Sequence, residues 1–99
     1  MTFEFFAEAR AEFIEAALYY ESHEPGLGVR FRNEIMSAIQ KILEDPFVWR
    51  ERKELYRRYN LSVFPYYIAY FVEGDIVMVV AVGHSARRPK YWVTRLEKE

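Results

Sequence analysis

The spacing of apolar residues in this 99-residue chain changes after Phe47-Val48-Trp49, just beyond the helix stop at Asp45-Pro46, and that change constrains the fold more than any other feature. Before Asp45, apolar residues recur every three or four positions, which is typical of amphipathic helices. Between Leu55 and Gly83 the chain is rich in aromatic and β-branched residues, which suit strands. The sequence therefore predicts two helices followed by a sheet, an α+β fold.

The first half of the chain predicts a helical hairpin. A helix from about Ala7 to His23 would place one set of residues (Glu8, Glu12, Glu15) on one side and another (Ala9, Phe13, Ala16, Ala17, Tyr20) on the other. Glu24-Pro25-Gly26-Leu27-Gly28 should end it, because proline cannot continue a helix and glycine tolerates a turn. A second helix would present the stripe Phe31, Ile35, Ala38, Ile39 and Ile42.

The second half predicts an antiparallel meander, with a short opening strand at Thr2 to Phe6 as a further element. The predicted strands are Leu55–Tyr59, Ser62–Val72 and Asp75–Gly83, with Glu73-Gly74-Asp75 as a hairpin turn. Pro65 has no backbone N–H to donate to a neighbouring strand, so we expect it at an edge position or a bulge. Pro89 to Glu99 predicts a short C-terminal helix, with Trp92 and Leu96 on its apolar face.

Both faces of the segment Phe64 to Val72 are apolar. A two-helix layer covers only one side of such a sheet, so the other side should face either the C-terminal helix or a partner. By composition alone the two alternatives are equally good.

Composition sets further limits. The length suits one domain spanning residues 1–99 with one core, and the absence of cysteine excludes disulfides and thiolate metal sites. The apolar runs are too short to cross a bilayer, and the N-terminus is not that of a signal peptide, so we expect a cytoplasmic protein.

The charges are unevenly distributed along the chain. Residues 1–49 carry 4 Lys/Arg and 9 Asp/Glu, whereas residues 50–99 carry 10 Lys/Arg and 6 Asp/Glu. The basic half could therefore focus a phosphate or an acidic partner onto one face.

A basic and aromatic segment follows the last predicted strand, and it contains the candidate functional residues His84, Arg87, Arg88, Lys90 and Tyr91. Together with three earlier segments it resembles the RelE/ParE superfamily of bacterial toxin-antitoxin toxins. Those segments are Pro25-Gly26-Leu27-Gly28, Tyr56-Arg57-Arg58-Tyr59 and Phe64-Pro65-Tyr66-Tyr67-Ile68-Ala69-Tyr70. The resemblance covers nearly the whole chain. It implies a helical hairpin on an antiparallel sheet, and a cognate antitoxin as partner. Because the tail of such an antitoxin wraps the toxin, the resemblance favours a partner over the C-terminal helix as the cover of the second sheet face.

The superfamily contains both ribosome-dependent mRNA endonucleases and DNA gyrase poisons. RNA cleavage without a metal needs a base, cations for the phosphate and an acid. The resemblance to RelE offers Arg58, His84, Arg87 and Tyr91 as catalytic candidates. The candidates for target binding are Arg57, Arg58, Arg87, Arg88 and Lys90.

Each candidate also has a structural explanation. Arg57 and Arg58 should point to opposite faces of a strand, so at most one can reach a given ligand. Arg87 and Arg88 could instead pair with the acidic first helix, and Tyr91 and Trp92 could be packing residues.

Three hypotheses remain open from sequence. A ParE-like toxin would inhibit DNA gyrase, and this is favoured because the chain is not basic overall and resembles plasmid-stabilisation proteins. A RelE-like mRNA interferase acting on the ribosome is the alternative, and a member that binds antitoxin but poisons nothing is the third. No metal or organic cofactor is suggested. The expected partner is an antitoxin, in a toxin-antitoxin hetero-oligomer, bound through an amphipathic helix or an added strand with acidic residues.

Overall fold

The computed structural model describes residues 1–98, which form a helical hairpin packed on a four-stranded sheet. The elements in chain order are β1 (Thr2–Phe5), α1 (Ala7–His23), α2 (Leu27–Glu44), β2 (Arg57–Asn60), β3 (Tyr66–Glu73), β4 (Ile76–His84) and a 3₁₀ helix (Val93–Lys98). The predicted α+β fold is therefore confirmed. Neither α-helix of the described chain has the length and hydropathy that a membrane span requires.

The sheet has the strand order β1-β4-β3-β2. Strands β2, β3 and β4 form the predicted antiparallel meander, with Gly74 at a φ of 62° in the turn between Glu73 and Ile76. Strand β1 pairs parallel to β4, so the expectation of an antiparallel sheet fails at this one edge. Helix α1 and the elements after it supply the long crossover connection that parallel pairing needs.

Two strand boundaries differ from the prediction because local turns intervene. Leu55 adopts a φ of 65° in a turn that is closed by a hydrogen bond from the Arg52 N–H to the Tyr56 carbonyl. Strand β2 therefore begins only at Arg57. Tyr66 donates to the Phe64 carbonyl in another tight turn, so Pro65 lies just before β3 rather than inside a strand. The sheet's bulge is in β4 instead.

The bulge determines which side chains of β4 enter each layer. Ala69 pairs with Ala81 whereas Tyr70 pairs with Val79, so β4 has one extra residue, Val80. Val80 and Ala81 consequently both pack in the second layer. The helix side of the sheet holds the main core, which includes Phe31, Ile35, Ile39, Ile68, Tyr70, Val77, Val79 and Val82.

The second sheet face is covered by the chain's own C-terminal segment, contrary to the expectation that a partner covers it. Trp92 is buried against Tyr56, Tyr67 and Val80, and its indole N–H donates to the Tyr67 hydroxyl at 2.9 Å. The predicted C-terminal helix is shorter than expected and 3₁₀ in type, beginning at Val93; Glu99 lies outside the described residues. The interpretation of Trp92 as a packing residue is confirmed.

The two helices approach closely at Gly28, whose N–H donates to the Glu21 carboxylate at 3.0 Å. Glu21 also accepts the Gly26 N–H at 2.9 Å, so a side chain of α1 satisfies free donors at the start of α2. A Cβ on residue 28 would lie 2.5 Å from the Ala17 carbonyl oxygen. The hairpin therefore requires glycine at this position.

Gly28→Ala should destabilise the protein by about 1–2 kcal/mol, measured by urea unfolding. Alanine favours a helix by about 1 kcal/mol over glycine, but the clash with a backbone oxygen forces the helices apart and outweighs that gain. Val29→Ala, at an exposed neighbouring position, should change stability by less than about 0.5 kcal/mol. Equal effects of the two substitutions would contradict this account of the contact.

Candidate functional site

The Glu12 carboxylate is the centre of the polar contacts that join α1, β4 and the C-terminal segment. It accepts hydrogen bonds from the Val82 N–H at 3.0 Å, from Arg95 Nη1 and Nη2 at 3.0 and 2.9 Å, and from the Tyr91 hydroxyl. Glu12 can reach these groups because it lies between the buried small residues Ala9 and Ala16 on the face of α1 that packs on the sheet.

These contacts close an open edge of the sheet. The pairing of β1 with β4 ends at Phe5 and Val79, so the next residues of β4 have no neighbouring strand on the side away from β3. The Glu12 carboxylate takes the Val82 N–H, and Arg95 Nη1 donates to the Val80 carbonyl at 3.0 Å. Side chains thus replace the missing strand, which protects the edge from pairing with another chain.

The ion pair in this cluster is largely excluded from water. The side chains of Arg95 and Glu12 are 14% and 13% exposed. Burial by itself would lower the pKa of Arg95, but its hydrogen bond to Glu12 and the negative charge there raise it. Burial, together with the hydrogen bond to Glu12 and its charge, raises the pKa of Tyr91. Tyr91 therefore stays protonated as a donor to Glu12 at neutral pH.

A groove of about 360 Å³ lies beside this cluster, between α1 and the end of β4. His84, Arg87 and Tyr91 line it together with Glu12, Glu15, Ala16, Tyr19, Tyr66 and Val82. His84 Nδ1 accepts the Ala86 N–H at 3.0 Å, which places the proton of the neutral ring on Nε2. The Arg87 guanidinium lies 3.6 Å from the centre of the Tyr91 ring and 3.7 Å from a Glu12 oxygen, with 56% of its side chain exposed.

Arg57 and Arg58 point to opposite faces of β2, as predicted. Arg57 donates to the Trp49 carbonyl at 2.6 Å on the helix side. The Arg58 guanidinium lies 3.8 Å from the centre of the Tyr67 ring on the second face. Both arginines thus have contacts within the chain.

Arg88 and Lys90 are exposed on the segment that connects β4 to Trp92. The ammonium of Lys90 lies 3.2 Å from the Glu54 carboxylate, and its backbone has a φ of 59°. Since β4 ends at His84, these cations lie past the end of the sheet, where another macromolecule can reach them.

Three of the four catalytic candidates, His84, Arg87 and Tyr91, line the groove together, and Arg58 lies apart from it. His84 packs on Tyr66 on the helix side of the sheet, whereas Arg58 packs on Tyr67 on the other side. The Tyr91 hydroxyl is already bonded to Glu12. The catalytic and target-binding assignments stay predictions.

Sequence reasoning missed the two residues that organise this region, Glu12 and Arg95. It placed Glu12 on the side of α1 opposite Ala9 and Ala16, and that was wrong, since the three share a face. The signal was present, because residues 9, 12 and 16 follow the three- and four-residue steps of one helical stripe. The suggestion that Arg87 pairs with the acidic first helix is confirmed by its contact with Glu12.

Comparison with known proteins adds to this geometry. The family model described as "ParE toxin of type II toxin-antitoxin system, parDE" matches residues 3–89. The chain belongs to this ParE toxin family. A search among curated proteins gave no match.

A chain of the solved chromosomal ParDE TA system from P. aeruginosa has a similar fold. The TM-score is 0.73 at 14% sequence identity, with 85% of this chain and 95% of that chain covered. The match to the ParE family model ends at residue 89 of this chain, so Tyr91, Trp92 and Arg95 lie outside the matched residues. The contacts of Glu12 with Tyr91 and Arg95 thus join a residue inside the match to residues outside it.

Glu12→Gln should destabilise the protein by about 2–4 kcal/mol in urea unfolding, because Arg95 would remain buried without its counter-ion. Glu15→Gln makes the same chemical change on an exposed position one turn away. It should alter stability by less than about 0.5 kcal/mol. Similar losses for both variants would show that Glu12 has no special role.

Tyr91 should also make stability fall at alkaline pH. Its raised folded-state pKa means that the native state holds this proton more tightly than the unfolded chain, whose tyrosines ionise near pH 10. The stabilisation that the protonated Tyr91 gives the native state is fully present below about pH 10 and declines as pH rises above that value. In Tyr91→Phe the free energy of unfolding should decline less steeply between about pH 9 and 11. An unchanged slope would contradict the assignment.

Proposed function

We propose that this ParE-family chain is a toxin that arrests growth by binding DNA gyrase, and that a cognate antitoxin neutralises it. The family match over residues 3–89 carries the proposal. The resemblance of the sequence to gyrase poisons and plasmid-stabilisation proteins supports gyrase as the target. A toxin of this kind acts in the cytoplasm, where its target is.

The geometry of the candidate residues supports action by binding rather than by catalysis. Tyr91 and Arg95 are committed to Glu12, and Arg58 lies across the sheet from His84. Arg88 and Lys90 and the half-exposed Arg87 remain at the surface past the end of β4. A protein that inhibits by association needs accessible charged groups of this kind and no general base.

The test is induced expression in a bacterial host that lacks the antitoxin, with protein synthesis and plasmid supercoiling followed in the first minutes. Supercoiling should be lost while translation continues, and the purified chain should inhibit purified gyrase. Co-expression of the cognate antitoxin should restore growth. Rapid loss of translation with mRNA cleavage in the ribosomal A site would favour the mRNA interferase instead, and unaffected growth would indicate an inactive family member.

His84→Ala and Arg88→Glu separate the two modes of action further. If the chain acts by binding, His84→Ala should keep its toxicity, whereas Arg88→Glu should weaken gyrase inhibition by about tenfold because it reverses a surface charge. Arg10→Glu, an exposed charge reversal on α1, is the matched control and should inhibit as the parent does. Loss of toxicity in His84→Ala without loss of stability would contradict the binding mode.

A further inference from the structure

The C-terminal segment that covers the second sheet face brings basic side chains from two separate parts of the chain together. The ammonium of Lys90 lies 3.2 Å from the Glu54 carboxylate, which joins the segment after β4 to the loop before β2. The Arg58 guanidinium packs on the Tyr67 ring at 3.8 Å, and the Tyr67 hydroxyl accepts the Trp92 indole N–H. The two parts form one surface, here called the basic surface, made up of Lys53, Arg58, Arg87, Arg88 and Lys90.

Most of the charge on the basic surface is not neutralised. Arg87 lies 3.7 Å from a Glu12 oxygen, but that carboxylate already pairs with Arg95 at 2.9 Å. Lys53 and Arg88 are exposed, and neither forms an ion pair within the described residues. The basic surface thus collects five of the 14 Lys/Arg of a chain whose net charge is −1. Such a concentration of positive charge attracts an anionic partner.

The basic surface has little exposed apolar area, and this favours a nucleic acid over an acidic protein as the partner. Tyr56 and Trp92 lie beneath it and are only 3% and 1% exposed. Leu55, next to this surface, is 69% exposed, but no large apolar side chain between residues 64 and 97 is exposed. Protein interfaces bury an apolar centre, whereas DNA interfaces are more polar and strongly basic.

The aromatic rings of this region are already in use, and this favours a duplex over a single strand. The guanidinium groups of Arg58 and Arg87 lie 3.8 and 3.6 Å from the ring centres of Tyr67 and Tyr91. Single strands bind by stacking their bases on accessible aromatic rings. Stacking on a ring also orients a guanidinium, whose N–H groups can then donate to phosphate oxygens.

We propose that the basic surface binds the phosphate backbone of duplex DNA without sequence specificity. Lys53, Arg88 and Lys90 supply charge at the surface, and the stacked Arg58 and Arg87 supply oriented donors. In the action on gyrase, these contacts hold the toxin against the DNA on which that enzyme acts. The role at gyrase rests on the proposed function, whereas the DNA affinity of the chain itself does not.

Fluorescence anisotropy of the purified unmodified chain with labelled duplexes of about 20 base pairs tests the proposal directly. Two duplexes of unrelated sequence should bind with affinities within about twofold of each other, because the backbone carries no sequence information. The logarithm of the affinity should fall with the logarithm of salt concentration with a slope of about −4, as about four or five neutralised phosphates require. Absence of binding at about 50 mM salt would overturn the proposal.

Competition identifies the class of partner. Unlabelled duplex DNA should displace the labelled duplex at lower concentration than single-stranded RNA or polyglutamate of equal total charge, since a duplex has the higher charge density. If polyglutamate competes as well as duplex DNA does, the basic surface is a site for an acidic protein. If single-stranded RNA competes better, the surface binds single strands. Either result overturns the proposal.

Variants at exposed positions locate the contacts. Lys53→Ala and Arg88→Ala should each weaken binding equally for both duplex sequences and reduce the salt slope by about 1. Arg30→Ala, which removes an exposed positive charge from α2 on the other side of the sheet, is the matched control and should leave affinity and slope unchanged. Equal losses in all three variants would place the DNA elsewhere and contradict the proposal.

The outcomes distinguish this inference from the proposed function. If the chain inhibits gyrase but does not bind DNA, the inference is overturned and the gyrase proposal stands. If the chain binds DNA through the basic surface but leaves supercoiling by gyrase unaffected, the gyrase proposal fails and the DNA site stands. The first binding measurement uses the unmodified chain, so a variant that does not fold cannot hide either result.

Discussion

The contacts of Glu12 hold together parts of the structure that are far apart in sequence. One carboxylate binds the backbone of β4 at Val82 and the side chains of Tyr91 and Arg95, which are 70 or more residues away. Because the Glu12–Arg95 pair is mostly buried, removing either partner would leave an uncompensated charge. The position of the C-terminal segment, and with it Trp92, therefore depends on a residue in the first helix.

That segment gives the sheet its second layer. The bulge at Val80 directs both Val80 and Ala81 to the face opposite the helices, where Trp92 covers them. The sheet is thus apolar on both sides for a reason internal to the chain, and its second face is not left open for a partner. The outer strands β1 and β2 instead leave their outer edges without a paired strand within the described residues.

The positive charge of the second half of the chain is divided between two uses. Arg95 neutralises Glu12 inside the structure, and Lys90 contacts Glu54. Arg88, Lys53 and Arg50 remain exposed, and Arg58 lies along an unpaired edge. This division leaves several basic side chains exposed on a chain of the ParE toxin family.

The sequence by itself determined the two helices, the hairpin turn at Gly74 and the β2-β3-β4 meander, because periodicity, proline and glycine act over a few residues. It also indicated the RelE/ParE type of fold and the opposite directions of Arg57 and Arg58. Only the tertiary structure decided that β1 pairs parallel with β4 and that His84 and Arg58 lie on different sides of the sheet. These features depend on strand order and on a single bulge, which bring together residues that are distant in sequence and therefore leave no local pattern.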